Sequence, residues 1–171
     1  MDASALEIRE NSGNGAIFDA SERYRYQLWR GLEAGRGRVL FVMLNPNTAD
    51  EQLDDPTIKR CRGFARDWGF ARLDVVNLFA LRTRHPSVLV RRRAPVGPLN
   101  DTFIRDCAWA ADLVIAAWGN HGSHRGRDGQ VLTLLRGLHM PIYCLKTNNS
   151  GQPRHPLYVR SSASPGPFVV L

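Results

Sequence analysis

Four short apolar runs set the limits on what this chain can fold into: VLFVML (39–44), LDVVNLF (73–79), DLVIAAWG (112–119) and PIYCL (141–145). Each has the length of a strand and is almost uninterrupted, the pattern of a strand covered on both faces. Between them lie segments of helical spacing. Asp55-Pro56 reads as an N-cap followed by proline in the first turn. Ile58, Cys61, Ala65 and Trp68 then mark one helical face, which Gly69 ends. PLNDTFIRDCAWAA (98–111) and QVLTLLRGL (130–138) read as two further helices. Strand alternating with helix predicts an α/β fold, a three-layer α/β/α arrangement with a mostly parallel central sheet. RYRYQLWR (23–30) alternates polar and apolar side chains, as an edge strand of an N-terminal hairpin would. SSASPGP reads as a linker into a short final segment, FVVL. With no internal repeat, residues 1–171 read as one domain, and the length suits one core.

Composition narrows the partners. No apolar run approaches the roughly 20 residues of a membrane span, so no membrane partner is expected. MDASALEIRE lacks a basic start followed by an apolar stretch, and no signal peptide is expected. Cys61, Cys107 and Cys144 are widely spaced in apolar surroundings, which suits reduced, buried thiols in a cytoplasmic protein. They are not spaced as a metal or iron–sulfur site. The formal net charge is +7, and 21 of the 23 basic residues are arginine. Guanidinium groups pair well with phosphate, which favours a nucleic-acid partner. A GC-rich coding sequence would give the same bias, so composition leaves both explanations open.

In open α/β sheets ligands bind beyond the carboxyl ends of the strands. The first apolar run leads into Asn45-Pro46-Asn47-Thr48-Ala49-Asp50. The second carries Asn77 and is followed by Arg82 and Arg84. The third leads into Gly119-Asn120-His121-Gly122, and the fourth into Lys146-Thr147-Asn148-Asn149 and then Arg154-His155-Pro156. Four strand ends thus offer amide, imidazole or carboxyl groups to one rim, as a pocket for a small molecule or a base requires. Asn77 interrupts an apolar run, and a buried amide is costly unless paired. It reads either as a reader of a ligand edge or as an amide tying down a loop. From Arg82 to Arg93 there are five arginines in twelve residues, on the same rim. They read as phosphate contacts or as a solvated loop.

At these positions the chain resembles the uracil-DNA glycosylase superfamily. One branch carries G-Q-D-P-Y-H after its first core strand and another G-I-N-P-G; here the stretch is Met43-Leu44-Asn45-Pro46-Asn47. Val76-Asn77-Leu78 is similar to a strand-end L-L-N-T, Ala117-Trp118-Gly119 to L-W-G, and His155-Pro156-Leu157 to H-P-S-P-L. The chain also resembles a bacterial family sharing N-P-x-T-A-D and D-D-P-T-I motifs.

The first resemblance implies a monofunctional DNA glycosylase of base excision repair. It would extrude uracil or a related deaminated base from single- or double-stranded DNA and hydrolyse the N-glycosidic bond. No cofactor or metal is implied, and a cytoplasmic, nucleoid-associated monomer is expected. His155 would hydrogen-bond the departing base, Asn77 would read its edge, and Asn45 would hold the water. Asp50 would supply the carboxylate that Asn45 lacks, with Asp54 and Asp55 as further candidates. For Asp55 the helix cap is the stronger reading. Pro46 and Asn47 would shape the pocket, Asn47 standing where one branch has a tyrosine that excludes the thymine methyl. Leu157 or Tyr158 would wedge into the duplex, and Arg82, Arg84 and Arg154 would contact DNA. No aromatic residue is assigned to stack on the base, because Phe64, Trp68, Phe79 and Trp118 all read as core. Two alternatives remain: a non-catalytic DNA- or nucleotide-binding module on the same fold, and a nucleotide hydrolase gathering a metal with Asp50, Asp54 and Asp55.

Overall fold

In the computed structural model, which describes residues 5–169, the alternation of apolar runs and helical segments becomes a mixed α/β fold. The strands are β1 (Leu6–Asn11), β2 (Asn14–Asp19), β3 (Arg25–Gly31), β4 (Arg38–Met43), β5 (Arg72–Asn77), β6 (Leu113–Ala116), β7 (Ile142–Cys144) and β8 (Gly166–Pro167). The helices are α1 (Pro56–Asp67), α2 (Pro86–Arg91), α3 (Asn100–Ala110) and α4 (Arg127–Gly137). All the strands join one sheet in the order β1-β2-β3-β5-β4-β6-β7-β8.

The sheet is not mostly parallel, which corrects the expectation from sequence. Among the described residues four of its seven neighbouring pairs run antiparallel: β1–β2, β2–β3, β3–β5 and β7–β8. The parallel strands form a contiguous block, β5-β4-β6-β7, made of the four apolar runs. The excess of antiparallel pairing comes from chain outside those runs. LEIREN and NGAIFD form a hairpin with weak apolar character, and β3 lies inside the sheet between β2 and β5, not at its edge. SSASPGP is more than a linker, since Gly166 and Pro167 pair with β7 and Phe168 enters the core. Of the final FVVL, Val170 and Leu171 lie outside the described residues.

Alternation along the central strands explains the packing. Val39, Phe41 and Met43 face one side of β4 and meet Ile58, Cys61, Phe64 and Ala65 of α1. Leu40 and Val42 face the other side and meet Ile104, Cys107 and Ala108 of α3 with Val131 and Leu135 of α4. Both faces of the parallel block are therefore covered, so its open carboxyl-end rim is where a ligand can reach the backbone. No helix of the described residues is long and apolar enough to cross a membrane. Cys61, Cys107 and Cys144 are buried and free of disulfides.

Candidate active site at the carboxyl ends of the parallel strands

The strand ends converge on a cavity of about 680 Å³, within the roughly 300–1,000 Å³ of typical small-molecule sites. Asn45, Asn47, Asn77, Arg84, Arg154, His155, Leu157 and Tyr158 all line it, from the segments that follow β4, β5 and β7, and Gly119, Asn120 and His121 add the one after β6. Hydrogen bonds between those loops fix their arrangement. Thr83 N donates to Pro46 O (3.0 Å), joining the loops after β4 and β5. Gly119 N donates to Pro153 O (2.8 Å), joining the ends of β6 and of the β7 loop. Gly119 adopts φ 75°, a left-handed conformation that favours glycine and turns the chain sharply out of β6.

Side-chain hydrogen bonds set what each residue offers. Asn45 Nδ2 donates to Pro46 O (3.0 Å) and Thr83 O (2.8 Å), so the amide nitrogen is spent on the backbone and Oδ1 remains as acceptor. Asn77 is 1% exposed, and its Nδ2 has no hydrogen-bond partner among the described residues. Leaving a buried donor unpaired costs about 1–3 kcal/mol, a cost that a ligand acceptor would remove. His155 Nδ1 accepts from Leu157 N (3.2 Å), which places the imidazole proton on Nε2. Burial holds the His155 pKa below the usual imidazole value, although the charge of Asp55 pulls it upward. The ring is therefore a neutral donor at physiological pH. Arg154 Nε donates to Asn148 Oδ1 (2.8 Å) and Asn148 Nδ2 to Asn120 Oδ1 (2.8 Å), so the guanidinium is held by a chain of amides.

Three expected residues fall outside the lining. Pro46 is buried behind Asn45, and Arg82 sits in a neighbouring depression over the ring of Phe18. Asp50 is turned into its own loop, where the carboxylate accepts from Gln52 N (2.8 Å) and Leu53 N (2.7 Å). Burial opposes its charge, yet these donors, with Arg30 and Arg82 nearby, keep its pKa below the usual carboxylate range. Both bonds fall on Oδ1, so Asp50 clamps its own loop, and its side chain stands outside the cavity lining. Asp54 is likewise taken, by Arg30 Nε (2.7 Å) and Arg62 (2.7 Å). No group of three or more metal-ligating side chains occurs among the described residues. The three aspartates thus do not gather into one centre.

Asp55 does line the pocket, and among the described residues it is the one carboxylate that does so. It is 7% exposed and caps α1, accepting from Ile58 N at 2.9 Å through Oδ1. Oδ2 makes no hydrogen bond within the described residues. Of the four aromatic residues read as core, Phe64, Phe79 and Trp118 are buried, while Trp68 stacks on Phe41 and Phe64. Trp118 also reaches the lining, with Nε1 tied to Gln152 Oε1 (2.8 Å). Leu157 (43% exposed) and Tyr158 (75% exposed) stand at the mouth.

Sequence reasoning missed Arg25. In the β2–β3 ladder Ile17 pairs with Gln27 but Phe18 pairs with Arg25, so Tyr26 is an extra residue on β3. Such a bulge re-aims a neighbouring side chain. Tyr26 stacks on Phe103 of α3, and Gln27 Nε2 donates to Asp74 Oδ1. Arg25 turns instead to the pocket side, donating to Ala49 O (2.7 Å) and lining the cavity. Burial pulls its pKa down to about 10, against the opposing charge of Asp55, and it stays protonated at neutral pH. Its Nε has no partner among the described residues.

No curated protein and no solved structure matches the chain. Residues 25–157 match the family described as "Protein of unknown function (DUF1643)", and that span holds every residue named above as lining the pocket except Tyr158. Because the match covers most of the sequence, the chain belongs to the DUF1643 family.

Proposed function

We infer that the protein is a DNA glycosylase of the uracil-DNA glycosylase kind, excising uracil or a related deaminated base. One observation carries this reading. A neutral imidazole with its proton on Nε2 and a buried amide donor without a partner occupy the same pocket, at the ends of different strands. An amide presents a donor and an acceptor, and so can read N3–H and O4 of uracil with two hydrogen bonds. The DNA backbone would contact Arg84 and Arg154, and Leu157 with Tyr158 would fill the gap left by the extruded base.

In the reaction, water attacks the anomeric carbon while the bond to the base nitrogen breaks and its electron pair leaves with the base. His155 Nε2–H hydrogen-bonds O2 as negative charge develops there. Asn45 Oδ1 accepts from the water and orients it. Asp55 Oδ2 takes the water proton, the role expected of Asp50. Arg25, Arg84 and Arg154 make the cavity electropositive and so favour an anionic leaving group.

The direct test is incubation with a uracil-containing oligonucleotide in excess EDTA, followed by alkaline cleavage of abasic sites. Strand breaks at uracil support the reading; intact strands for uracil, hypoxanthine and xanthine remove it. Base selection gives a further prediction. Asn77→Asp replaces a donor by an acceptor, so acceptance should move from uracil toward cytosine, whose exocyclic amine is a donor. Paired uracil and cytosine substrates measure the shift, and unchanged uracil preference takes Asn77 out of base reading.

A further inference from the structure

Two depressions of about 450 and 320 Å³ lie beside the pocket. Thr83 lines both the pocket and the first of them, and Arg23, Leu81 and Arg92 line both depressions. The three spaces therefore adjoin one another in a row, a trough that leads from the pocket to the carboxyl end of α2. Its walls carry Arg23, Arg82, Arg91, Arg92 and Arg93, with Glu22 as the one carboxylate among the described residues. Glu22 is already bonded to Arg9 and lies 3.8 Å from Arg82. Among the described residues the side chains of Arg23, Arg91, Arg92 and Arg93 form no ion pair. Arg125 donates to Arg92 O (2.8 Å) and Arg93 O (3.2 Å), which fixes the backbone beneath consecutive exposed guanidinium groups.

Guanidinium groups crowded within a screening length of about 8–10 Å repel one another until an anion intervenes. A single small anion would engage one or two of them. A row along adjoining depressions matches a repeating charge, and a concave track that starts at a nucleotide-sized cavity suits a strand better than a flat bilayer. We propose that this trough carries the single-stranded sugar–phosphate backbone on one flank of the nucleotide in the pocket, so that the strand is gripped asymmetrically. The proposal rests on the reading that the pocket takes a nucleotide, but its test is a binding test.

Fluorescent single-stranded oligonucleotides without uracil are titrated across a salt series. Three proteins are compared: the natural chain, a variant with Arg91, Arg92 and Arg93 changed to Gln, and a control with Arg36, Arg38 and Arg66 changed to Gln. The control residues are exposed near the amino-terminal edge of the parallel strands. Each lost single-strand phosphate contact should remove about 0.7 from the log–log salt slope. The trough variant should therefore be shallower by about two and bind at least about tenfold more weakly at moderate salt. The control should keep the natural slope. With oligonucleotides bearing a flank on only one side of a uracil, one polarity should keep most of the slope and the other should lose it.

Equal slopes for trough variant and control, equal losses from the two flanks, or no binding by the natural chain each overturn the trough. Binding to phosphatidylserine vesicles without binding to oligonucleotide overturns it in favour of a membrane surface. Excision measured on the same preparations separates the two ideas. A slope lost on substitution in a chain that excises nothing keeps the trough and removes the glycosylase; an unaltered slope in a chain that excises uracil does the reverse.

Discussion

Replacing His155 with alanine is expected to lower uracil excision by at least about a hundredfold, the scale of a lost preorganised oxyanion donor. The expectation follows from the tautomer. Leu157 N donates to Nδ1, so the ring can present only Nε2–H to the pocket. Burial keeps the imidazole neutral by pushing its pKa down, and the upward pull of Asp55 is the smaller effect. Protonation would put a hydrogen on Nδ1 and break the bond that orients the ring. Activity should therefore fall on the acid side, below the ordinary imidazole value of about 6.5. Stability should follow the same direction. Because the folded pKa is depressed, the unfolded chain binds a proton there that the folded chain does not. The contribution is complete above about 6.5 and is lost as pH falls toward the lower folded value. Single-turnover excision gives the first number, and melting at about pH 8 and about pH 5.5 gives the second. The alanine variant should show a smaller acid-side loss of stability than the natural chain. A natural rate in the variant would take imidazole out of the chemistry.

The parts of this site that the sequence discloses are those at the ends of parallel strands. An apolar run announces such a strand, and the polar residue that stops it lands on the rim, so Asn45 and Asn77 could be placed before any coordinates, whereas His155, far along the loop after the fourth run, rested on the resemblance. Arg25 could not be placed. It reaches the same rim because β3 runs antiparallel and delivers its amino end where β4 and β5 deliver their carboxyl ends. Its side chain faces the pocket only because of the extra residue at Tyr26, and a bulge depends on a partner strand that local periodicity does not identify. The antiparallel half of the sheet was hidden for a related reason. LEIREN has one exposed face, and β-propensity there reflects cross-strand packing more than the chain's own pattern. Asp50 and Asp55 show a different gap. Both sit in one short acidic loop and both accept backbone N–H groups through Oδ1, and only the folded course of that loop decides which of them lines the cavity.

That pattern yields a sharp expectation for Asp55. Its Oδ1 caps α1 while Oδ2 is free to accept a proton from water, so structural and chemical roles are carried by different oxygens. Asparagine is as good an N-cap as aspartate, whereas alanine removes the cap at a cost of about 1 kcal/mol. Asp55→Asn and Asp55→Ala both delete the carboxylate that opposes Arg25, so both should be less stable than the natural chain. They should differ from each other by the cap alone. If Asp55 served only as a cap, the asparagine variant would excise uracil normally and the alanine variant would lose stability but not the chemical step. The expected result is that both lose about a hundredfold or more, the scale of a missing general base, while asparagine melts at the higher temperature. Asp50→Asn, assayed beside them, should keep a rate near that of the natural chain, because its Oδ1 clamps Gln52 N and Leu53 N and its side chain does not line the cavity. Full excision by Asp55→Asn would reduce Asp55 to a helix cap and leave the water to Asn45.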